Sequence, residues 1–243
     1  MPRNDGAETL DTLFGGRLRI FQNAAGYRFS IDALLLAHFA RPRPEDRVLE
    51  LGTGCGVVSL ILLFRRKARR VIGVEIQPSL CALARRNAAA NRMASRLKVR
   101  EKNWAGLDSP AYTGKFDLVL CNPPYRKVGS GRVNPVSEKA RARHEIDSTL
   151  QDMLSAAQRL LKNLGRLAMI YPASRSAELI RQMTALGLEP KRMQWVHSRE
   201  GEEARLVLVE GSKQAGSEVR VLPPLFIYDS EGKYTPAAGE LFS

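Results

Sequence analysis

The segment CNPPY at residues 121–125 places an amide, Asn122, and an aromatic ring, Tyr125, on either side of two consecutive prolines. It follows the apolar run 116–120, whose length and composition are typical of a buried strand. Proline has no backbone N–H and cannot extend a sheet ladder, so the strand is expected to end at Pro123. The corner formed by residues 122–125 then has one of two roles. It only ends the strand, or its rigid backbone directs the Asn122 amide oxygen and a backbone carbonyl at a bound group.

A second candidate for chemistry is the segment 50–56, ELGTGCG, which has glycines at alternate positions. A dinucleotide-binding fingerprint would need its third glycine where this chain has Val57, and no phosphate-binding G-K-[ST] is present. The glycines still let the backbone approach a ligand closely, at the end of a strand where open α/β sheets bind ligands. Glu50 could reach an ammonium group of that ligand, directly or through water.

An acidic residue is placed to complete this site. Glu75 ends the next predicted strand, about 20 residues beyond the glycine loop, where a carboxylate can accept hydrogen bonds from both hydroxyls of a ribose. Loop and acid together indicate a nucleoside with free hydroxyls and no phosphate, and S-adenosylmethionine meets that description. Asn103, after the third predicted strand, either faces the adenine or belongs to a plain loop.

Regular elements are needed to bring these residues together. The predicted strands cover residues 47–52, 70–76, 97–103, 116–122, 165–172, 193–198 and 204–211. The predicted helices cover residues 30–40, 57–66, 78–91, 149–163 and 175–188. Their alternation predicts a largely parallel sheet with helices on both faces. The last two strands have no long helix between them and are expected to pair antiparallel.

The two ends of the chain are predicted to form appendages. Residues 1–10 are polar and expected to fray, and a hairpin turn is predicted at 23–26 before the first helix. A second hairpin is predicted around 229–232. The domain boundaries that follow are 1–46 for the N-terminal extension, 47–213 for the main domain and 214–243 for the tail.

Composition limits the function classes. The 243 residues are 44% hydrophobic and 26% charged, which suits one soluble domain, and their net charge of +13 favours a polyanionic partner, nucleic acid before membrane surface. Cys55, Cys81 and Cys121 form no C-x-x-C pair and are interpreted as reduced core thiols of a cytosolic protein. No signal peptide is predicted, and no apolar run reaches the roughly 20 residues that a spanning helix needs.

The motifs VLELGTGCG, GVEI and CNPPY, in this order and spacing, resemble the class I S-adenosylmethionine-dependent methyltransferases that modify amino groups. YRFSIDALLLAHFA before the first strand and ARHE at 142–145 narrow the resemblance to the bacterial tRNA(Val) adenine-37 N6-methyltransferase family, over roughly residues 15–210. The resemblance implies a Rossmann-like α/β fold with a seven-stranded, mostly parallel sheet whose last strand is antiparallel. It also implies methylation of the N6 amine of an adenine in RNA, above all adenine 37 of a tRNA anticodon loop.

The resemblance assigns catalysis to the corner Asn122, Pro123, Pro124 and Tyr125. The Asn122 oxygen and the Pro123 carbonyl would each accept one N–H of the target amine and so aim its lone pair, while Tyr125 would stack on the target base. No general base or metal is expected, because the methylated nitrogen can lose its proton to water. Family members often carry aspartate at the position of Asn103. The cofactor contacts predicted are Phe29, Ser30, Asp32, Glu50, Gly52, Thr53, Gly54, Gly56, Glu75, Ile76, Asn103, Trp104 and Asn122.

Contacts to RNA are predicted in the segment 126–145, which has six Lys/Arg against two Glu. A long basic loop beside the corner suits a clamp on the RNA backbone, although a solvated charge run is the alternative. The substrate contacts predicted are Tyr125, Arg126, Lys127, Arg132, Lys139, Arg141, Arg143 and His144. A second basic cluster, 65–70, closes a helix whose dipole already favours positive charge, so a role in RNA binding is left open.

Other functions share some of these features. A protein glutamine N5-methyltransferase acting on a release factor or ribosomal protein uses the same motifs, but such enzymes normally carry an N-terminal helical domain. A non-catalytic RNA-binding protein is disfavoured by the glycine loop, Glu75 and Asn122. Methylation of adenine in rRNA or DNA stays open, although no separate target-recognition domain is visible. The protein is expected to act in the cytoplasm as a monomer or weak homodimer.

Overall fold

The computed structural model describes residues 8–24, 28–123 and 150–242. The strands are β1 (Glu8–Leu13), β2 (Leu18–Asn23), β3 (Val48–Leu51), β4 (Val71–Glu75), β5 (Leu97–Glu101), β6 (Phe116–Cys121), β7 (Leu161–Pro172), β8 (Leu188–His197), β9 (Ala204–Lys213), β10 (Arg220–Val221) and β11 (Leu225–Phe226). The helices are α1 (Ile31–Phe39), α2 (Val57–Phe64), α3 (Pro78–Ala90), α4 (Leu150–Leu160), α5 (Ser176–Ala185) and the single turn α6 (Pro236–Gly239). Short 3-10 turns occupy Trp104–Gly106 and Ala173–Arg175.

Seven main strands form one sheet in the order β5-β4-β3-β6-β7-β9-β8. The pairs from β5 to β7 are parallel, and β9 is antiparallel to both of its neighbours. The predicted mostly parallel sheet with an antiparallel last strand is therefore confirmed. The two-residue strands β10 and β11 also pair with β8, which brings the sheet to nine strands. Six of the seven main strands end at the same border of the sheet, which we call the carboxyl edge.

Helices cover both faces of the sheet, as predicted. α1, α2 and α3 pack on one face with the N-terminal hairpin and the tail, while α4 and α5 pack on the other. α2 is buried over its whole length from Val57 to Leu63, because it lies between the sheet and α1. α4 buries one stripe at helical spacing and exposes the rest, which is the pattern that predicted it. No helix among the described residues is long and apolar enough to cross a bilayer.

The N-terminal hairpin differs from the prediction. β1 begins at Glu8 within the segment expected to fray, and it pairs with β2 across a turn at 14–17 that contains Gly15 and Gly16 at φ +64° and +83°. The described residues show no second strand after the turn predicted at 23–26: residue 23 ends β2, residue 24 lies in a turn, and residues 28–30 are not in a strand, while 25–27 lie outside the described residues. The two adjacent glycines supply the left-handed backbone that the turn needs, and this was the stronger indication of a turn.

The tail also differs from a simple hairpin. Its strands β10 and β11 run parallel to β8, and the predicted hairpin is reduced to one antiparallel bridge between Tyr228 and Tyr234. Leu225, Ile227 and Leu241 then enter the same core as α1 and α2. Pairing with the exposed edge of β8 and burial of these apolar residues outweigh the local hairpin.

Two strands begin earlier than predicted because of tertiary pairing. Leu161 already pairs with Phe116 of β6, so the helix predicted to 163 ends at Leu160. β8 begins at Leu188, which pairs with Lys213 of β9, rather than at residue 193.

Candidate active site

The carboxyl edge brings the predicted site residues together. Leu51 of β3 pairs with Cys121 of β6 on one side and with Val74 of β4 on the other. The residues that follow these two strands, Gly52 and Asn122, therefore leave the sheet at adjacent positions of the carboxyl edge. Along the chain, α2, β4, α3 and β5 all lie between these two residues, so it is the sheet that brings them to the same edge.

The glycine loop is held in a left-handed conformation that explains its composition. Gly52, Gly54 and Gly56 have φ angles of +68°, +55° and +86°. Gly52 is partly exposed, and the Trp104 ring lies 3.6 Å from where a Cβ would stand. A Cβ on Gly56 would lie 3.3 Å from the Ala84 Cβ, so this glycine lets α2 pack on α3. The first glycine opens towards a ligand, whereas the packing role of the third was not predicted.

Glu50 is buried beneath this loop and is held by three donors. Its Oε2 accepts hydrogen bonds from Thr53 Oγ1 (2.7 Å), from the backbone N–H of Ser59 (3.2 Å) and from the Ser59 hydroxyl. Burial raises the pKa of Glu50 to about 7 although these bonds oppose the shift, and the nearby charge of Glu75 adds to it. Among the described residues no donor reaches Oε1, so this oxygen is available to the ammonium group that the sequence predicted.

Glu75 is also buried, and backbone N–H groups surround it. Its Oε2 accepts from Gly54 (2.9 Å), and its Oε1 accepts from Ile76 (2.9 Å) and Gln77 (3.0 Å). Burial raises the pKa of Glu75, and these bonds oppose the shift. A carboxylate has about four acceptor positions, so roughly one is left for a ribose hydroxyl in this conformation. Binding two hydroxyls requires one backbone bond to be shared or broken.

The polar side chains of this site fit S-adenosylmethionine. Two buried carboxylates suit a ligand with a sulfonium, an ammonium and a ribose diol, and the same pocket disfavours phosphate. The buried Nε1 of Trp104, beside Gly52, has no hydrogen-bond partner among the described residues. Asn103 is exposed and caps the 3-10 turn, where its Oδ1 accepts from the Ala105 N–H at 2.9 Å. Contact of Asn103 with an adenine stays a prediction.

The catalytic corner is described in part. β6 ends at Cys121, Asn122 follows half-buried at the carboxyl edge, and Pro123 is buried. The remaining predicted residues of the corner and the RNA clamp lie outside the described residues: Pro124, Tyr125, Arg126, Lys127, Arg132, Lys139, Arg141, Arg143 and His144.

Phe29, Ser30 and Asp32, which were predicted to cover the cofactor, also form hydrogen bonds within the fold. Ser30 is the N-cap of α1, and its hydroxyl accepts from the Asp32 N–H at 3.3 Å, as predicted. The Phe29 N–H donates to Gln22 Oε1 at 2.8 Å, and its ring packs partly buried against the core. The bond between Phe29 and Gln22 docks β2 onto the segment before α1. Contact of Phe29, Ser30 or Asp32 with a cofactor stays a prediction.

Asn87 is a positioning residue that the sequence analysis missed. This buried amide of α3 donates to the carbonyls of Cys55 and Phe21, both at 3.0 Å, and accepts from the Phe21 N–H at 2.8 Å. It thereby ties the glycine loop and the N-terminal hairpin to one helix. The available indication was a polar residue on the apolar stripe of α3, where side chains are otherwise apolar.

Ser59 and Gly73 were missed for a similar reason. Ser59 is the one polar residue in α2, and it holds Glu50. A Cβ on Gly73 would lie 2.9 Å from the Thr53 side chain, so this glycine makes room for the loop. Both residues act through neighbours that only the fold brings close.

The basic cluster 65–70 is largely used by the fold. Arg65 donates to the Glu240 carbonyl at 2.7 Å and lies over the Phe14 ring. Lys67 caps α1 through the His38 carbonyl at 3.0 Å, and burial together with neighbouring arginines lowers its pKa to about 8. Arg65 and Lys67 are therefore used by the fold and are not assigned to RNA binding.

Comparisons with known proteins agree with this geometry. A model of the methyltransferase small domain matches residues 30–186. The tRNA1(Val) (adenine(37)-N6)-methyltransferase of Porphyromonas gingivalis is 31% identical over 229 residues, covering 90% of this chain and 89% of that one. The enzyme of the same name from Tolumonas auensis is 26% identical and covers 90% of each chain. The solved structure of a predicted O-methyltransferase from Agrobacterium tumefaciens superposes with a TM-score of 0.69 at 23% identity, covering 86% of this chain and 94% of that one.

A parallel sheet with a glycine loop and two buried carboxylates at its carboxyl edge is the architecture of a class I methyltransferase, and the chain belongs to the methyltransferase small domain family. Within that family it belongs to the tRNA1(Val) (adenine(37)-N6)-methyltransferases, which it matches over nearly its whole length.

Proposed function

We propose that this protein methylates the exocyclic N6 amine of adenine 37 in tRNA1(Val), with S-adenosylmethionine as methyl donor. The proposal is supported by two observations together. The chain is similar along 90% of its length to enzymes of that name, and Asn122 and Pro123 follow the strand that pairs with the one before the glycine loop. The methyl donor supplies an electrophilic methyl group on a sulfonium when it is bound.

The corner would orient the target amine. The lone pair of an adenine amine is delocalised into the ring, so the amine is a weak nucleophile. The Asn122 amide oxygen and the Pro123 carbonyl can each accept one of its hydrogens and so turn the remaining lone pair towards the methyl group. The same acceptors stabilise the positive charge that develops on nitrogen, and the surplus proton then passes to water. No general base is assigned.

The buried carboxylates would hold the methyl donor in place. Glu75 is positioned for a ribose hydroxyl, and Glu50 Oε1 for an ammonium group. Gly52 allows close approach at the partly exposed end of the loop. Stacking of the target base on Tyr125 and phosphate contacts from Arg126 to His144 remain part of the proposal, as do action as a monomer or weak homodimer and a cytoplasmic location.

The test is methyl transfer to defined substrates. Labelled cofactor is incubated with a tRNA1(Val) transcript and with the same transcript carrying guanine at position 37. Label on the first alone, mapped to adenine 37 by mass spectrometry, is the expected result. Label on a glutamine of a release factor or ribosomal protein, on rRNA or on duplex DNA would establish one of the alternative substrates instead.

A further inference from the structure

Most of the positive charge of this chain lies in one part of the fold. Residues 65–102 contain twelve Lys/Arg and two Glu, a net charge of +10, whereas the whole chain carries +13. These residues run from the end of α2 through β4 and α3 to β5 and the residue after it, at one side of the sheet. The segment 126–145, which the sequence analysis favoured for RNA, adds +4 from six Lys/Arg and two Glu.

β5 is the edge strand of this side, and its two faces differ. Leu97 and Val99 point into the core under α2 and α3. The alternate residues Lys98 and Arg100 pair in register with Ile72 and Val74 and are exposed. Within the described residues, the helices that pack on β5 are α2 and α3, both on the Leu97 face.

We call the other face the basic face and define it as Arg70, Lys98, Arg100 and Lys102, four exposed cations. Lys98 and Arg100 lie about 7 Å apart at alternate positions of β5, and Lys102 follows in a bend just beyond the strand, so the three form a row. In the described part of the chain none of the four forms an ion pair, although Lys102 also lies over the Tyr112 ring. Unpaired cations in a row are what a chain of phosphates binds.

The basic face adjoins the candidate active site. Lys102 is followed directly by Asn103 and Trp104 at the carboxyl edge. β5 is three strands from β6 in the sheet, so about 14 Å separates the row from the strand that ends at Asn122. An RNA stem whose loop reaches Asn122 can therefore cross this face.

We infer that the basic face binds the phosphate backbone of the substrate RNA beyond the target base. This inference rests on the proposed function and adds a location for the RNA that the fold comparisons do not provide. The opposite flank supports it, because the turns at 198–203 and 229–232 carry Glu200, Glu202, Glu203, Asp229 and Glu231 at the same edge. RNA approaching the corner is attracted on one side and repelled on the other.

Charged edge strands also prevent sheets from pairing with each other, which is the competing explanation for these residues. That role needs one or two charges on β5 itself. It does not account for the exposed Arg70, which lies on the adjacent segment and outside β5.

The test compares two double variants that remove the same charge. Lys98→Gln/Arg100→Gln neutralises the basic face, and Arg181→Gln/Arg205→Gln neutralises two exposed arginines on the other half of the sheet. Affinity for a tRNA1(Val) transcript is measured without cofactor from about 50 to 200 mM salt. We expect the first variant to bind at least about tenfold more weakly, with a salt slope shallower by about 2, and the control to stay within about twofold.

Equal losses in both variants, or no loss in either, would overturn the inference, as would self-association of the first variant with unchanged tRNA affinity. Arg70→Gln/Lys98→Gln serves as a second probe should the first variant melt at a lower temperature. Failure of the proposed function is separate: it appears as wild-type protein that binds RNA in a salt-dependent way but transfers no methyl group to adenine 37.

Discussion

The two flanks of the sheet carry opposite charge although they belong to one fold. Residues 65–102, on the β4–β5 flank, have a net charge of +10. Residues 188–233, which cover β8, β9 and the tail strands, contain seven Lys/Arg and eight Asp/Glu, a net charge of −1. By the inference above, the exposed cations of the first flank bind RNA, whereas the ion pairs of the second flank stabilise the fold.

Individual arginines make the same distinction. On the second flank Arg192 is buried, donates to the Phe39 carbonyl at 2.7 Å and meets Glu210 at 3.2 Å, while Arg166 meets Asp46 at 2.6 Å. On the first flank Arg100 is exposed and, among the described residues, forms no ion pair. A count of basic residues therefore does not identify an RNA-binding surface; the partners of each side chain do.

The largest effect on activity is expected at Asn122, which follows β6 in the middle of the sheet, between the two flanks. Asn122→Ala should lower the single-turnover rate by about 10³-fold, because it removes an acceptor that orients the amine in the transition state. Cofactor affinity by calorimetry should fall far less, by no more than about tenfold, because Asn122 is only one of the predicted cofactor contacts. Asn122→Asp keeps an acceptor oxygen and should retain more activity than the alanine variant. A near-normal rate for Asn122→Ala would exclude the orienting role.

Glu75 tests the cofactor side of the first flank. Glu75→Ala should weaken binding of S-adenosylhomocysteine about 10- to 100-fold, since the one charge-assisted hydrogen bond left to a ribose hydroxyl contributes about 1.5–3 kcal/mol. It should also lower stability, because it leaves the N–H groups of Gly54, Ile76 and Gln77 without their acceptor. Glu75→Asp keeps the charge and should lose less of both. Unchanged affinity in the alanine variant would show that the carboxylate serves the loop alone.

Arg192 tests whether the second flank is scaffold. Arg192→Ala should lower the free energy of unfolding by about 3 kcal/mol, because it leaves Glu210 with only the longer contact to Arg166 at 3.7 Å. Cofactor affinity and the salt dependence of tRNA binding should not change. Arg205→Ala, an exposed arginine of β9, is the matched control and should change stability by less than about 0.5 kcal/mol. If Arg192→Ala altered the salt dependence of tRNA binding, the second flank would also contribute to RNA binding, against our expectation.

The smallest effect expected is the pH dependence of Glu50. Its pKa is raised from 4.5 to about 7, so its ionised form is disfavoured in the folded protein, and stability should fall as pH rises from about 4.5 to 7. At about 1.4 kcal/mol per pKa unit, the wild-type protein should lose at most about 3 kcal/mol over this range. Glu50→Gln should match wild type near pH 5 and exceed it in melting temperature at pH 8.

The same substitution separates stability from binding. Because the carboxylate is the form that attracts an ammonium group, wild-type affinity for S-adenosylhomocysteine should rise between pH 6 and 8. Glu50→Gln should bind more weakly and show a flatter profile. If Glu50→Gln is more stable at high pH yet binds S-adenosylhomocysteine as well as wild type, Glu50 holds the loop and does not bind the ammonium group.

Much of the fold was predictable because its determinants are local. Apolar runs, helical spacing, the Ser30 cap, Pro78 at the start of α3 and the absence of a helix between β8 and β9 predicted the sheet and its antiparallel last strand. The family was predictable from short motifs, because the glycine loop, Glu75 and Asn122 each follow directly on a strand. Their roles in binding and catalysis remain predictions that the experiments above address.

The tertiary structure decided what depends on residues distant in sequence. It moved the N-terminal turn to 14–17 and drew the tail strands onto β8, since pairing and burial outweigh local turn preference. It showed that Asn87 and Ser59 hold the site, because a polar residue on an apolar stripe reveals its partner only after packing. It also separated Arg65, which the fold uses, from Arg100, which it leaves exposed: in sequence both are cations in a basic run, and only the positions of neighbouring acceptors distinguish them.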